Sequence, residues 1–170
     1  MYKIIRGVEN NIEKFWKVVI KMKVKECMCD EVCCVKPETN IYEVAKLMSD
    51  NHVGSIPVCN TNNEICGIVT DRDILLRSIV CDKNLKETPV SDIMTCNVCT
   101  CTEDDDMQKA EMKMAQNQIR RLPVCDSNNK VVGILTLGDL AQNCQEIGKE
   151  QVNQTIEHIC NCNVNAKNAE

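Results

Sequence analysis

The chain has 170 residues and a formal net charge of −5; 44% of its residues are hydrophobic and only 2% are aromatic. This composition excludes a wholly disordered chain, and no apolar run approaches the roughly 20 residues of a membrane-spanning helix. The unusual residue is cysteine, of which there are 14. Because residues 1–25 do not resemble a secretion signal, we expect a cytoplasmic protein with free thiols.

The first 23 residues predict a basic amphipathic helix. Lysine and arginine outnumber acidic residues in this stretch. We expect the apolar stripe to dock on the rest of the chain or to pair two chains, and a membrane surface is the less favoured alternative. Apolar side chains recur at alternating steps of three and four residues, as in a helical seam: Ile5, Val8, Ile12, Phe15, Val19 and Met22.

Residues 24–80 and 90–145 are two copies of one unit, joined by a polar linker at 81–89. The copies align without a gap at a constant offset of 66 residues (94 minus 28, for example). Each copy predicts the element order β-α-β-β-α, so the fold class is α+β, with two small sheets and helices packed on them. Matched pairs include Met28 with Met94, Pro57 with Pro123, Gly67 with Gly133, Thr70 with Thr136 and Asp73 with Asp139.

Hydrophobic periodicity and turn residues predict the elements of each unit. The first unit has an extended stretch at 32–35, a helix capped by Asn40 with Ile41, Val44, Leu47 and Met48 on its apolar face, strands at 55–58 and 65–69, and a helix from Asp71. The second unit has an extended stretch at 98–101, a helix after the acidic run 103–106, strands at 121–124 and 131–135, and a helix from Leu137. Residues 146–170 predict one short helix and a frayed tail.

The junction between the second strand and the last helix of each unit carries the candidate chemistry. Unpaired N–H groups at a helix start suit phosphate, and a carboxylate one turn later can accept two hydrogen bonds from a ribose diol. A threonine cap followed by an aspartate also occurs without any ligand, but its recurrence in register favours nucleotide binding. The junctions read Gly67-Ile68-Val69-Thr70-Asp71-Arg72-Asp73 and Gly133-Ile134-Leu135-Thr136-Leu137-Gly138-Asp139.

The sequence over about residues 24–145 resembles the cystathionine-β-synthase (CBS) domain family, whose members occur as tandem pairs called Bateman modules. The resemblance implies two units packed about a pseudo-twofold axis with two clefts between them, and association of modules into homodimers. It also implies a regulatory adenosine ligand such as AMP, ADP, ATP or S-adenosylmethionine, with no catalysis and no cofactor. Besides the junctions, the resemblance rests on Asp92-Ile93-Met94-Thr95, Val53-Gly54-Ser55-Ile56-Pro57-Val58 and Arg120-Arg121-Leu122-Pro123-Val124.

The resemblance further implies that each cleft joins the junction of one unit to residues of the other. Because arginine forms charge-assisted hydrogen bonds with phosphate, we expect cleft one to be the main nucleotide site and cleft two to be weaker. Cleft one is predicted to comprise Thr70, Arg72, Asp73, Thr95, Arg120 and Arg121, and cleft two Cys29, Gly54, Ser55, Thr136 and Asp139. The protein would then be a sensor that signals to an unidentified partner.

A cysteine-based metal or thiol-redox protein on the same scaffold is the alternative. The cysteines at 96, 99 and 101 and those at 27, 29, 33 and 34 are close in sequence, although the second Cys-x-x-Cys pair of a zinc ribbon is missing. We expect most thiols to pack as small apolar side chains. Cys29 faces the predicted cleft two, so its thiol could matter to function.

Catalysis and nucleic-acid binding are not expected. The chain has two histidines, His52 and His158, and neither belongs to a set of nucleophile, base and orienting group. His52 is expected to end the first helix, where a cationic side chain is favourable. Acidic residues outnumber basic ones and aromatics are few, which disfavours a nucleic-acid surface outside the N-terminus.

Overall fold

A computed structural model describes residues 22–160 of the chain. The predicted amphipathic helix over 1–23, except for its last two residues, and the predicted tail over 161–170 lie outside the described residues. No helix of the described part is long and apolar enough to cross a membrane.

The elements follow the predicted order, except that the leading strand of the first unit is only a single bridge at Val35, and they confirm the α+β class and the tandem repeat. In the first unit they are α1 (Ile41–Asp50), β1 (Ser55–Cys59), β2 (Ile65–Thr70) and α2 (Asp71–Ile74), which continues as a π-helical turn over Leu75–Ile79. In the second unit they are β3 (Cys101–Thr102), α3 (Met107–Asn117), β4 (Arg121–Cys125), β5 (Val131–Thr136) and α4 (Leu137–Gln142), followed by α5 (Cys144–Ile147) and α6 (Lys149–Cys160).

Each unit is built on an antiparallel hairpin with the same register. Pro57 pairs with Ile68 in the β1–β2 ladder, and Pro123 pairs with Ile134 in the β4–β5 ladder. A parallel partner adds to each hairpin, as a single bridge between Val35 and Val58 in the first unit and as β3 beside β4 in the second. The shared register places Thr70 and Thr136 at equivalent ends of their sheets.

The helices begin where the sequence predicts, and they bury the side chains that the sequence predicts. Asn40 Oδ1 accepts a hydrogen bond of 2.9 Å from Glu43 N and so caps α1, which buries Ile41, Val44 and Met48. The π-helical turn after α2 was not predicted. It forms around Ser78, whose fully buried hydroxyl donates to Ile74 O and widens the turn.

The first residues of each unit cross over to the other unit. These exchanged segments, 23–29 and 89–95, insert Val24 and Cys27 into the core of the second unit, and Val90 and Ile93 into the core of the first. The exchange also fixes the junctions, because Thr95 exchanges two backbone hydrogen bonds with Ile68 (2.9 and 3.0 Å), and Cys29 does the same with Ile134 (3.0 and 2.9 Å). The reciprocity is that of a pseudo-twofold axis.

The C-terminal helix α6 completes the core of the second unit. Its Val152 and Ile159 are buried in that core, as the apolar spacing of the sequence predicts. At the contact with α3, Gln151 Nε2 donates to Glu111 Oε2. Glu111 is only 2% exposed, and among the residues that the structure describes its other carboxylate oxygen has no hydrogen-bond partner. Burial therefore raises the pKa of Glu111 above its ordinary value.

Candidate functional site

The two junctions have the same local geometry. Thr136 donates to Asp139 Oδ2 from its backbone N and from its hydroxyl, both at 2.7 Å, while Asp139 N donates to Thr136 Oγ1 at 3.3 Å. The corresponding distances for Thr70 and Asp73 are 2.9, 2.7 and 3.2 Å. Each pair therefore caps its helix reciprocally, and one oxygen of each aspartate is used within the protein.

The second carboxylate oxygen differs between the units. Asp73 Oδ1 lies 3.3 Å from Arg77 Nη1, which also donates to Ile93 O at 2.8 Å and to Thr95 Oγ1 at 3.3 Å. The residue 66 positions later is Asn143, whose amide donates instead to the backbone oxygen of Asp139 at 2.9 Å. Within residues 22–160, Asp139 Oδ1 has no hydrogen-bond partner and is available to a ligand hydroxyl.

A cavity of about 830 Å³ adjoins the second junction and is lined by both units. Its volume lies in the range of sites for small ligands and cofactors. Its apolar lining includes Val32, Val53, Ile134 and Leu137. The polar and remaining residues are Cys29, Glu31, Cys33, Asn51, His52, Gly54, Ser55, Arg120, Arg121, Thr136 and Gly138.

Two arginines bring positive charge to this cavity, whose lining also contains Glu31. Arg120 is exposed and Arg121 half-buried, and among the described residues neither guanidinium makes a hydrogen bond or an ion pair. Gly54 provides the space for one of them, because a Cβ there would lie 2.8 Å from Arg121 Nη2 and 2.9 Å from Asp71 Oδ2. The unpaired guanidinium groups can bind an anion, and phosphate suits their geometry.

The structure places the two arginines beside the second junction. Arg120 and Arg121, which the sequence-based grouping gave to cleft one, line the cavity of Thr136. The reason is the hairpin register, since Arg121 lies directly opposite Thr136 in the β4–β5 ladder and Leu137 N donates to Arg120 O at 3.1 Å. The hairpins of the two repeats have equal lengths in the sequence. This register could therefore have been inferred from the sequence, but the sequence reasoning did not consider it.

The remaining predicted site residues fall into two groups. Cys29, Gly54, Ser55 and Thr136 line the cavity, and Asp139 is hydrogen-bonded to Thr136 beside it. Thr70, Asp73 and Thr95 lie around Arg77, a residue that sequence reasoning missed although it stands four positions after Asp73 on the same helix. The Arg72 side chain is exposed.

The end of α1 also contributes to the cavity. Asn51 and His52 line it, and His52 adopts a left-handed backbone conformation with φ of 54° just after the helix, where the sequence placed it. Asn51, together with Glu31, Val32 and Cys33, was not predicted as a site residue. These residues come together only in the folded chain, where the extended stretch is fixed by the bridge between Val35 and Val58 of β1.

The thiols are divided between the core and the surface. Burial raises the pKa of Cys27 to about 11 and that of Cys101 to about 12, so these side chains pack as neutral small residues. Within residues 22–160 no three His, Cys, Asp or Glu side chains are placed to hold a metal ion. The described residues thus give no support to the alternative of a metal site.

Comparison with known proteins decides the family. The family model of the CBS domain matches residues 24–79 and 90–146. The chain belongs to the CBS domain family. The CBS domain-containing protein YhcV of Bacillus subtilis is 38% identical over 141 residues, which are 83% of this chain and 97% of YhcV.

Solved structures of CBS pairs share the fold. The CBS domain pair of protein MJ0100, in complex with 5′-methylthioadenosine and S-adenosyl-L-methionine, has a TM-score of 0.65 and 26% identity, and covers 71% of this chain and 94% of its own. The CBS domain protein PAE2072 of Pyrobaculum aerophilum, complexed with AMP, has a TM-score of 0.65 and 26% identity, and covers 70% of this chain and 90% of its own. Both of these CBS proteins bind adenosine compounds.

Proposed function

We propose that this CBS pair is a non-catalytic regulatory module that binds an adenosine nucleotide or derivative in the cavity beside Thr136 and passes the bound state to a partner protein. The observation that carries the proposal is the presence of two unpaired guanidinium groups, Arg120 and Arg121, in a cavity formed by both units. The adenosine ligands of the MJ0100 and PAE2072 CBS proteins support it.

Each part of an adenosine nucleotide has a counterpart in the cavity or, in the case of Asp139, directly beside it. Arg120 and Arg121 would bind the phosphate, and Asp139 Oδ1 would accept hydrogen bonds from the ribose diol. The apolar side chains of Val53 and Ile134, which also line the cavity, would contact the adenine ring. The site spans both units, so a bound ligand changes the contact between them. This is the physical basis of signalling that we infer.

The surroundings of Thr70 form the weaker site in this proposal. Asp73 is already paired with Arg77, and the same guanidinium bonds to Thr95 and to a backbone oxygen. A ligand there would have to break these contacts. The ranking of the two clefts is therefore the reverse of the sequence-based expectation. We expect the active form to be a cytoplasmic homodimer.

Titration calorimetry with AMP, ADP, ATP and S-adenosylmethionine tests the proposal. Loss of a hydrogen bond between charged groups costs about 1.5–3 kcal/mol, so Arg121→Gln should weaken binding of the preferred nucleotide at least tenfold. Lys130→Gln removes one exposed positive charge outside the cavity and should bind as the wild type does. Normal binding by Arg121→Gln, together with lost binding in Asp73→Ala, would move the site to the first junction. If none of the four compounds binds, the proposed function is wrong.

A further inference from the structure

A groove of about 330 Å³ lies between α3 and α6 of the second unit. Its lining residues recur at steps of three or four positions, so they form one stripe on each helix. Met112, which is 55% exposed, and Ala115 are the apolar side chains of this lining. The stripes are Gln108, Glu111, Met112, Ala115 and Gln116 on α3, and Gln151, Gln154, Thr155 and His158 on α6.

The chain that precedes the described residues joins them beside this groove. Met22 O accepts a hydrogen bond of 2.9 Å from Met107 N, and the Met22 side chain packs against the core of the second unit. Met107 is the first residue of α3, and Gln108 of the groove follows it. Residues 1–21 are therefore attached at the end of the groove that Gln108 marks.

The attachment of Met22 has a counterpart in the first unit. At the repeat offset (88 minus 22), Thr88 is the equivalent residue, and its backbone oxygen accepts a hydrogen bond of 3.1 Å from Ile41 N. Ile41 begins α1 as Met107 begins α3. The chain that leads into each exchanged segment is thus attached to its helix by the same backbone hydrogen bond.

The first unit also shows the path of the chain before this attachment. Leu85 O accepts a hydrogen bond of 3.0 Å from Tyr42 N, and the Leu85 side chain packs against the core of the first unit. The residues equivalent to Leu85 and Tyr42 are Val19 and Gln108. The repeat therefore predicts that Val19, a member of the apolar stripe of the N-terminal segment, lies on α3 beside Gln108, where the groove begins.

Charge favours the same placement. Residues 1–21 contain five lysines and arginines and two glutamates, whereas the lining of the groove contains Glu111 and no lysine or arginine. The acidic run 103–106 directly precedes α3. It already pairs with the two lysines that follow the segment, since Lys23 Nζ lies 2.6 Å from Asp106 Oδ1 and Lys25 Nζ lies 2.8 Å from Asp104 Oδ1. A basic helix thus meets complementary charge at this end of α3.

We propose that residues 1–21 dock as an amphipathic helix in the groove between α3 and α6 of their own chain, with the apolar stripe on Met112 and Ala115. A helix rises 1.5 Å per residue, so residues 5–19 extend over about 21 Å, whereas the groove extends over about 12 Å from Gln108 to Gln116. The segment is long enough to cover it. The contact does not involve a nucleotide, so it can be tested separately from the proposed function.

The fluorescence of Trp16, the only tryptophan of the chain, tests the docking in the full-length protein. We expect emission at shorter wavelength than in the urea-unfolded chain, and protection from quenching by acrylamide. Met112→Lys puts a positive charge opposite the basic segment. It should move the emission towards that of the unfolded chain and remove the protection. Leu76→Lys, which replaces a 42% exposed apolar side chain of the first unit, is the matched control and should change neither.

Both substituted side chains are exposed, so the two variants should unfold in urea as the wild type does. A changed emission in Leu76→Lys, with none in Met112→Lys, would place the segment on the first unit and overturn the proposal. Emission that neither variant changes would overturn it as well. Protection that disappears on dilution of the wild type would show pairing between two chains instead of docking within one.

Discussion

Arg77 Nη1 lies 3.3 Å from Asp73 Oδ1, whereas Asn143, the residue equivalent to Arg77, leaves the corresponding oxygen of Asp139 without a partner in the described part of the chain. One substitution in a repeated motif thus separates an aspartate used within the protein from one available to a ligand. The two clefts of this CBS pair differ for this reason as much as for their arginines.

The first prediction transfers this ion pair to the second unit. Asn143→Arg should place a guanidinium beside Asp139 Oδ1 and compete with the ribose diol, which would weaken nucleotide binding about tenfold. Calorimetric titration measures the change. Gln142→Arg, which adds the same charge at an exposed neighbouring position, is the control and should change the affinity much less. Equal losses in the two variants would show that charge alone is responsible.

The second prediction concerns the space that Gly54 leaves for Arg121. Gly54→Ala should push the Arg121 guanidinium out of its position, because the new Cβ would lie 2.8 Å from Nη2. The atoms in conflict are the ends of flexible side chains, so the free energy of unfolding measured in urea should change by less than about 1 kcal/mol. Nucleotide affinity should fall several-fold. An unchanged affinity would mean that the position of Arg121 does not matter to the ligand.

The third prediction tests the exchanged segments. A Cβ on Gly133 would lie 2.5 Å from Met28 Sδ and 3.0 Å from the backbone oxygen of Cys29. Gly133→Ala should therefore lower the free energy of unfolding by about 1–3 kcal/mol. In Gly138→Ala the new Cβ meets only Thr136 Oγ1, at 3.4 Å. The free energy of unfolding of this variant should be unchanged or higher. A Gly133→Ala variant as stable as the wild type would contradict the close packing of Met28.

The fourth prediction uses the buried carboxyl group of Glu111. Because burial raises its pKa in the folded state, the stability it contributes is fully present below the ordinary pKa and is lost as pH rises through the raised value. Glu111→Gln removes this loss. The free energy of unfolding of the variant, relative to that of the wild type, should therefore rise by about 1 kcal/mol as pH increases from 4 to 8. Urea unfolding at several pH values measures the difference. Glu157→Gln, at an exposed site on α6, should show no such trend.

The sequence predicted the elements of the fold because local patterns determine them. The Asn40 cap and the apolar positions of α1 are readable within a few residues of each other, and the repeat is readable from its constant offset. The resemblance grouped Thr95 with Thr70 and Cys29 with Thr136, but the exchange of core residues was not predicted, since Val24 has the same apolar character whichever core receives it. Only the three-dimensional packing distinguishes a residue that completes its own unit from one that completes the other.

The candidate site was predicted in its parts but not in its assembly. Thr136, Asp139, Cys29, Gly54 and Ser55 lie together as the sequence-based grouping had them. The two arginines, which that grouping gave to cleft one, line the cavity of Thr136, because the strand register places Arg121 opposite Thr136. The role of Arg77 depends on the position of Thr95, which arrives from the other unit.

The exchanged segments make this chain equivalent to a segment-swapped dimer whose two subunits have been joined by a linker. A single unit expressed alone would leave its own core open where Val90 and Ile93 insert, and its leading segment would have no acceptor. Two copies of such a unit could satisfy each other only by pairing. Covalent duplication removes the need for symmetry, and it is this freedom that lets the second unit carry Arg120 and Arg121 and the first unit Arg77.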